Sequence, residues 1–356
     1  MNWLISMDRG IIKVGIVGCG LIGNKRAAII KDDPSSVLCA TSDVNIINAD
    51  AMLRQFGGGD GGHAYRDWQE MLKKQELDVV IVATPNKYLK KISLWSMQRG
   101  RHVLCEKPLG RNAKESGRMV KVAQENGVVI KTGFNHRHHP AIWKAHELVV
   151  SGGIGPIYFI RCIYGHGGRP GYEKEWRASK DICGGGELLD QGVHVVDLFR
   201  WFLGDFEEAF GYTPTYFWKM DVEDNAFAVF KTAAGQIASM HTCWTQWKNR
   251  FTFEIFGEAG YLIIEGLGGS YGPEKLTVGK RPKKDREYIG GIPDEEVIIF
   301  DGPDMSWDLE WKEFVQAIQE SREPLGSGRD GLEANRLLAA VYCSAKEHRH
   351  VKISEV

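Results

Sequence analysis

Short apolar runs alternate with amphipathic segments over the first 133 residues of the chain. The apolar runs have the length of buried strands and lie at 11–17, 37–42, 78–83, 102–105 and 128–132. Segments with apolar residues at helical spacing lie between them, at 48–56, 67–74, 87–99 and 112–126. Strands and helices that alternate over short links predict a doubly wound parallel sheet, which binds ligands at the carboxyl edge of its strands.

The pattern changes after Gly133, where a helix is predicted at 141–151 and a strand at 157–164. Later strands of alternating polarity, typical of an antiparallel sheet with one covered face, are predicted at 226–232, 236–244, 250–257, 260–265 and 296–300. Two amphipathic helices, predicted at 307–321 and 330–347, close the chain. A chain of 356 residues exceeds the usual size of one hydrophobic core, so we expect two domains, residues 1–133 and 134–356.

The first predicted strand runs directly into a glycine-rich turn, Gly18-Cys19-Gly20-Leu21-Ile22-Gly23, and then into a helical pattern. This is the GxGxxG dinucleotide fingerprint in the strand, loop and helix context that it requires. The first glycine permits the tight turn, the second lets the backbone approach a pyrophosphate, and the third lets the helix pack closely on the strand. The helix N-terminus then holds the anion, so we predict a dinucleotide site at this turn.

Asp43 follows the second predicted strand, about 20 residues after Gly23, where a carboxylate accepts hydrogen bonds from an adenosine ribose diol. A carboxylate also repels a 2′-phosphate, so Asp43 favours NAD over NADP. The alternative is a turn or N-cap aspartate in front of the next helix.

A second glycine-rich stretch reads GGGELLDQGVHVVD over residues 184–197. Its three glycines and the apolar spacing that follows predict a close-approach loop that opens into a buried helix. Asp190 and His194 lie four residues apart, so both project from one face of that helix. An acid beside an imidazole suits a dehydrogenase, because it offers a base near neutral pH, and the glycines leave room for a flat nicotinamide ring. The alternative is a helix whose two polar residues are satisfied in a core.

Two segments follow buried strands at the predicted carboxyl edge, Thr84-Pro85-Asn86 and Glu106-Lys107-Pro108. Lys107 precedes a proline, which restricts its backbone, so its ammonium group can meet a substrate hydroxyl without long-range flexibility. The alternative is a lysine on a solvated loop.

The charge balance narrows the class of partner. The 45 Lys and Arg residues are matched by 46 Asp and Glu, so the protein has no strong electrostatic field that would favour nucleic acid or an anionic membrane. We therefore expect a small diffusible substrate.

Seven scattered cysteines without a CxxC pair indicate a reducing cytoplasm. His136, His138 and His139 have no carboxylate or cysteine at ligand spacing, so no metal is expected. The first ten residues have too short an apolar run for a signal peptide, and no segment reaches 18 apolar residues, so we expect no membrane span.

With these residues in view, the sequence resembles the glucose-fructose oxidoreductase, inositol dehydrogenase and MocA family over essentially its whole length. The matching pieces are VGCGLIG with Asp43, ATPN at 83–86, EKPL at 106–109, GFNHRHHP at 133–140, the stretch at 184–197, EWKEFVQAIQ at 310–319 and GRDGLEANRLLAAVYCSA at 328–345. The resemblance implies an α/β protein with an N-terminal Rossmann doubly wound parallel sheet for NAD(P). It also implies a C-terminal α+β domain with an open, mostly antiparallel sheet, which commonly forms the interface of a homodimer or homotetramer.

The resemblance also implies which residues act. The lysine of EKP and the aspartate and histidine of DxGxH carry over to Lys107, Asp190 and His194 as the catalytic set. The cofactor set is Gly18, Gly20, Leu21, Ile22, Gly23, Asp43, Thr84, Pro85, Asn86, Glu106, Lys107 and Asn135. The substrate set is Lys107, Arg137, Tyr164, His166, Arg169, Tyr172, Asp190 and His194. Many members read TPNxxH, but Leu89 stands where that histidine would be, which we expect to affect the packing of the cofactor loop rather than the chemistry.

These roles predict an NAD-dependent oxidoreductase that transfers a hydride between nicotinamide and a secondary alcohol or ketone of a sugar, polyol or nucleotide-activated sugar. His194 would take the alcohol proton, while Lys107 stabilises the alkoxide and Asp190 orients a substrate hydroxyl. Two alternatives stay open, a glycosidase that uses NAD transiently and a non-catalytic NAD-binding regulator. The segment 164–172, with Trp176 and Arg177, is expected to border the site. Within it, the glycine-rich residues 166–172 are expected to close over the substrate and set its choice.

Overall fold

The computed structural model describes residues 10–58, 62–281 and 293–356. The prediction for the first ten residues therefore lies almost wholly outside the described part. The described residues form two compact units. One contains those within 1–110, 114–133 and 307–332, and the other contains those within 111–113, 134–306 and 333–356. Residues 307–332 thus group with the N-terminal unit, although the predicted boundary assigned them to the second domain.

The first unit is built on a parallel sheet. Its strands are β1 Ile12–Val17, β2 Ser36–Ser42, β3 His63–Tyr65, β4 Val79–Val82, β5 His102–Cys105 and β6 Ile130–Thr132. Its N-terminal helices are α1 Leu21–Asp32, α2 Ile46–Phe56, α3 Trp68–Lys74, α4 Asn86–Met97 and α5 Ala113–Glu125. The strand order is β3-β2-β1-β4-β5-β6, and it confirms the predicted doubly wound sheet. The order reverses beside β1, and sheets of this kind bind dinucleotides at that point.

Alternate residues of each strand point to opposite faces of the sheet, and each face is buried in its own apolar cluster. Val80 and Val82 belong to one apolar cluster, and Val79 and Ile81 belong to the other. The second cluster also contains Trp311 and other side chains of the segment 307–332. This apolar contact is the reason that the segment belongs to the first unit, although it is far away in sequence.

The second unit is built on a sheet of nine strands. These are β7 Ile157–Gly165, β8 Phe206–Tyr212, β9 Asn225–Thr232, β10 Ile237–Cys243, β11 Arg250–Gly257, β12 Gly260–Glu265, β13 Glu274–Lys280, β14 Asp294–Phe300 and β15 Val351–Lys352. Their order is β14-β13-β12-β11-β7-β10-β9-β8-β15. Strands β7 and β10 pair in parallel and the other pairs are antiparallel, which confirms the predicted mostly antiparallel sheet.

The remaining helices are α6 Pro140–Val150, α7 Lys180–Cys183, α8 Glu187–Asp190, α9 Gly192–Leu203, α10 Ser306–Gln319 and α11 Gly328–Glu347. Within the second unit, side chains of α6, α8 and α9 share one apolar core with the inner face of the sheet. Buried and exposed residues alternate along β9, and its exposed positions on the outer face include the apolar side chains of Phe227 and Val229. In the described ranges, no helix is long and apolar enough to cross a bilayer.

Candidate active site

The turn between β1 and α1 has a structural need for glycine at Gly18 and Gly23. Gly18 has φ +98°, and a Cβ added there would lie 2.5 Å from the carbonyl oxygen of Ala83. A Cβ on Gly23 would lie 2.0 Å from the carbonyl oxygen of Gly18, so only glycine lets α1 pack against the turn. In contrast, a Cβ on Gly20 would meet nothing within 4 Å, and no side chain caps α1 at this residue. The start of α1, with the exposed Leu21, is therefore open to a pyrophosphate.

Asp43 lies directly against this turn and makes the contacts of a turn aspartate. Its Oδ2 accepts the N–H of Cys19 at 2.8 Å, and its Oδ1 accepts the N–H of Asn45 at 2.9 Å. The second contact is that of a turn aspartate, while the N-cap of α2 is Asn45, which accepts the N–H of Ile47 at 3.2 Å. Because a carboxylate oxygen accepts more than one hydrogen bond and Asp43 is only half-buried, a ribose diol can still bind it.

The tip of β4 offers a further polar group to a dinucleotide. The Oγ1 of Thr84 is buried and has no hydrogen-bond partner among the described residues, so a polar atom of a ligand would satisfy it. Pro85 precedes α4, and Asn86 begins this helix as a buried residue. Leu89, at the position where many family members have histidine, is fully buried in the apolar core of this unit. The open turn at Gly20 and the buried hydroxyl of Thr84 therefore fit a bound dinucleotide.

A buried cation holds the tip of β5. Arg26 of α1 donates from Nε to Glu106 Oε1 at 2.8 Å and from Nη1 to Glu310 Oε2 of α10 at 2.5 Å. Arg26 is 1% exposed and Glu310 is completely buried. Oε1 of Glu106, a residue predicted to contact the cofactor, therefore binds Arg26, and the half-buried Lys107 follows Glu106 directly in the chain. Sequence reasoning missed Arg26 and Glu310, because neither lies in a motif with known chemistry.

The glycines at 184–186 allow other parts of the second unit to approach closely. A Cβ on Gly185 would lie 2.2 Å from the hydroxyl oxygen of Tyr342, and a Cβ on Gly186 would lie 2.0 Å from the carbonyl oxygen of Glu223. The Oε1 of Glu223 also accepts the N–H of Gly186 at 2.9 Å and the hydroxyl of Tyr342 at 2.7 Å. Packing inside the second unit therefore requires glycine at both positions.

Asp190 and His194 lie on two consecutive helices rather than on the single helix that was predicted. Helix α8 ends at Asp190 and α9 begins at Gly192. The break is tight, since the N–H of His194 donates to the carbonyl oxygen of Gln191 at 3.0 Å, three residues earlier. Both side chains belong to the second unit, where Asp190 is half-buried and His194 is 4% exposed.

The ring of His194 is stacked on the ring of His136, with centroids 3.7 Å apart and planes 13° apart. The Nε2 of His136 lies 3.1 Å from the hydroxyl oxygen of Tyr164, and its Nδ1 lies 3.2 Å from Oδ1 of Asn135. The contact of His136 with His194 was not predicted, because helical spacing shows neighbours within one helix and not between distant segments. Tyr164 and Asn135, predicted to bind substrate and cofactor, both hold His136.

The other polar residues of GFNHRHHP have separate partners. Arg137 donates from Nε and Nη2 to both carboxylate oxygens of Asp197, at 2.8 and 2.6 Å, and both residues are buried. Arg137, predicted to bind substrate, therefore has a buried carboxylate partner within the second unit. His139 Nδ1 lies 2.6 Å from Glu274 Oε1. Within residues 10–58, 62–281 and 293–356, no group of three His, Cys, Asp or Glu could hold a metal ion.

Three ion pairs connect the predicted specificity segment to Asp190. Arg169 donates to both oxygens of Glu175 at 2.7 and 2.6 Å, and Arg177 lies 3.8 Å from the same carboxylate. Arg177 Nε then lies 3.5 Å from Asp190 Oδ2. Arg169 was predicted to bind a substrate anion, so such an anion would have to replace Glu175.

The predicted closing segment is packed against neighbouring aromatic residues. Tyr172 is 2% exposed and meets the ring of Trp244 edge-on at 5.0 Å. A Cβ on Gly168 would lie 2.5 Å from the Trp218 ring, and the Gly168 N–H donates to Nδ1 of His166 at 2.9 Å. Glycine therefore serves close packing here in addition to backbone freedom.

Comparisons with known proteins agree with this arrangement. A model described as "Oxidoreductase family, NAD-binding Rossmann fold" matches residues 12–134, and one described as "GFO/IDH/MocA C-terminal domain" matches residues 142–263. Myo-inositol 2-dehydrogenase of Thermotoga maritima is 27% identical over 355 residues, 97% of this chain and 99% of that protein. Levoglucosan dehydrogenase of Pseudarthrobacter phenanthrenivorans is 26% identical over 288 residues, 71% of this chain and 73% of that protein.

Solved structures show the same fold. A levoglucosan dehydrogenase in complex with NADH and levoglucosan superposes with a TM-score of 0.87 at 23% identity, over 97% of this chain and 100% of that chain. Both domain models of one family match consecutive parts of the sequence. The chain therefore belongs to the glucose-fructose oxidoreductase, inositol dehydrogenase and MocA family, and it is an NAD-binding Rossmann oxidoreductase of the dehydrogenase type that acts on CH–OH groups.

Proposed function

We propose that the protein is an NAD-dependent dehydrogenase that oxidises a secondary alcohol of a sugar, polyol or nucleotide-activated sugar, or reduces the corresponding ketone. The observation that carries this proposal is the buried imidazole of His194, stacked on His136, in a chain that also has an open dinucleotide turn. The substrate class is supported by the relatives named for levoglucosan and myo-inositol.

The proposed mechanism assigns one task to each of three side chains. When bound, NAD accepts a hydride at C4 of its nicotinamide ring. His194 receives the proton of the substrate hydroxyl, and the ammonium group of Lys107 donates a hydrogen bond to the same oxygen as negative charge develops. Asp190, held by Arg177 at 3.5 Å, accepts a hydrogen bond from a second substrate hydroxyl.

Substrate selection is proposed for the segment that leads to Asp190. His166, Arg169 and Tyr172 remain in the proposed substrate set with Lys107, Asp190 and His194, and Arg177 joins them through its contact with Asp190. Tyr164 acts instead through His136, because its hydroxyl is hydrogen bonded to that ring.

Asp43 is proposed to select NAD over NADP. We expect Asp43→Ala to raise the KM for NAD and to narrow the preference for NAD over NADP, because the mutant loses the carboxylate that binds the ribose diol and repels a 2′-phosphate. Steady-state kinetics with both cofactors measure this preference as the ratio of kcat/KM for NAD to kcat/KM for NADP. Asp43→Asn is the matched variant, since it keeps an acceptor for the Cys19 N–H while removing the charge. An unchanged ratio in both variants would contradict the assignment.

The protein is further proposed to be a cytoplasmic homodimer or homotetramer that associates through the outer face of the nine-stranded sheet. The apolar side chains of Phe227 and Val229 on that face support this proposal, since exposed apolar patches are typical of subunit contacts. Light scattering after gel filtration measures the mass of the particle. A monomer at micromolar concentration would contradict it.

A substrate panel tests the proposed function. The purified protein is incubated with sugars, nucleotide sugars and inositols plus NAD, and the absorbance of the reduced cofactor is followed. Accumulation of NADH with one of these compounds supports the dehydrogenase. Release of a free aglycone from a glycoside without NADH accumulation would identify the NAD-dependent glycosidase, and NAD binding without any turnover would indicate the regulator.

A further inference from the structure

The stacked pair of His136 and His194 is connected to a row of buried hydroxyl groups. The hydroxyl of Tyr164 lies 3.1 Å from Nε2 of His136, and the Tyr164 ring meets the Tyr271 ring edge-on at 5.1 Å. The hydroxyl of Tyr271 in turn accepts a hydrogen bond from Nε2 of Gln191 at 2.7 Å. Gln191 is the residue between Asp190 and the helix of His194.

The contacts of His136 with Asn135 and Tyr164 fit the tautomer that carries its proton on Nδ1. Nδ2 of Asn135 donates to Oγ of Ser306 at 3.0 Å, so the amide oxygen faces Nδ1 of His136 and this nitrogen carries the proton. Nε2 of His136 then accepts from the hydroxyl of Tyr164. Burial raises the pKa of the Tyr164 hydroxyl well above its ordinary value, so this group remains a donor throughout the working pH range.

Charged groups face the stacked pair from several elements. Burial, and to a smaller extent the carboxylates of Glu187 and Asp190 of α8, raise the pKa of Tyr164, the hydroxyl that meets His136. His139 meets His136 edge-on at 5.5 Å and is itself paired with Glu274. The neighbouring guanidinium of Arg137 is neutralised by Asp197. Two imidazolium rings at 3.7 Å would repel each other, so the site accommodates one charge rather than two.

We infer that His136 is a positioning residue for His194. Its ring, held in one neutral tautomer by Tyr164 and Asn135, fixes the plane of the His194 ring and leaves His194 as the imidazole that takes the proton. The kinetic part of this inference rests on the proposed function, whereas the protonation states of the two rings can be measured without turnover.

The first test compares two substitutions of His136. We expect His136→Ala to lower kcat roughly 10- to 100-fold, since loss of the stacked ring misplaces the base, while the KM for NAD stays unchanged. We expect His136→Phe to keep most of the kcat, because a phenyl ring supplies the same flat partner. Equal kcat values in the two variants, whether both high or both low, would overturn the positioning role.

The second test uses the pH profile of kcat/KM. Without the hydroxyl donor, Tyr164→Phe lets His136 take a proton, so the acid limb of the profile should move to higher pH. The double variant His136→Phe with Tyr164→Phe should return the limb to its wild-type position, since only one imidazole of the stacked pair then remains. A Tyr164→Phe profile identical to that of the wild type, or a double variant that is still shifted, would overturn the inference.

The third test is independent of catalysis. Nitrogen NMR of the histidine rings, assigned with His136→Phe and His194→Ala, follows the protonation of each ring against pH. We expect His136 to stay neutral with its proton on Nδ1 while His194 titrates. If His136 titrates before His194, the inference fails even for an active enzyme. If the substrate panel yields no turnover while His136 stays neutral, the proposed function fails and the protonation assignment stands.

Discussion

Replacing His194 by alanine is expected to lower kcat by roughly 10²–10⁴, the usual contribution of a positioned general acid or base. The imidazole is the proposed acceptor of the substrate proton, and it is buried against the ring of His136, so bulk water is a poor substitute. The affinity for NAD should survive, because the dinucleotide turn lies in the other unit. Single-turnover kinetics and NAD binding by fluorescence titration separate these two quantities.

His350→Ala is the matched control, since His350 is an exposed histidine of the same unit. Its kcat should equal that of the wild type. Thermal unfolding of both variants shows whether a loss of activity follows from a loss of structure. Near-normal turnover by a folded His194→Ala protein would refute the proposed role of this base.

Replacing Arg26 by methionine is expected to reduce the free energy of unfolding by about 3–5 kcal/mol, the cost of leaving a buried charge without its partner. In the native protein Arg26 neutralises the carboxylates of Glu106 and Glu310, and Glu310 is completely buried. Urea unfolding measures the difference. Because Glu106 directly precedes Lys107, we also expect this variant to lose dehydrogenase activity in proportion to the disorder that it introduces at the tip of β5.

The loss of stability should depend on pH in a defined direction. Burial raises the pKa of Glu310, and this effect is larger than the lowering of the pKa by the positive charge of Arg26. A carboxyl group with a raised folded-state pKa destabilises the protein above that pKa, and the cost is relieved as the pH falls through it. Removal of Arg26 increases this cost, so the difference between Arg26→Met and wild type should shrink at acidic pH.

Lys25→Met provides the control for Arg26→Met, because Lys25 is an exposed neighbour on the same helix. Its free energy of unfolding should stay within about 0.5 kcal/mol of the wild-type value, as for most surface substitutions. Equal losses in the two variants, or a difference that grows at low pH, would contradict the role assigned to the buried cation.

Much of the fold follows from local patterns that the sequence carries by itself. The β-branched runs with helices between them predicted the parallel sheet, and the alternating runs after residue 205 predicted the mostly antiparallel sheet. The sequence also predicted that Gly18 permits the tight turn and that Gly23 permits the close helix contact, because each of these features requires glycine at a single position. Strands β3 and β15 were not predicted, since three and two residues are too short to show a period. The seven-residue strands β8 and β13 were not predicted either.

The tertiary structure decided which side chains meet across long stretches of chain. The sequence shows that Asp190 and His194 are four residues apart, but it carries no information about His136, whose ring reaches His194 from another segment. In the same way, Arg169 has the chemistry to bind a substrate anion, and only the folded chain shows that Glu175 occupies its guanidinium. Local spacing therefore determined the elements and the candidate chemistry of this protein, whereas packing determined the partners, because burial selects contacts by shape and charge rather than by distance along the sequence.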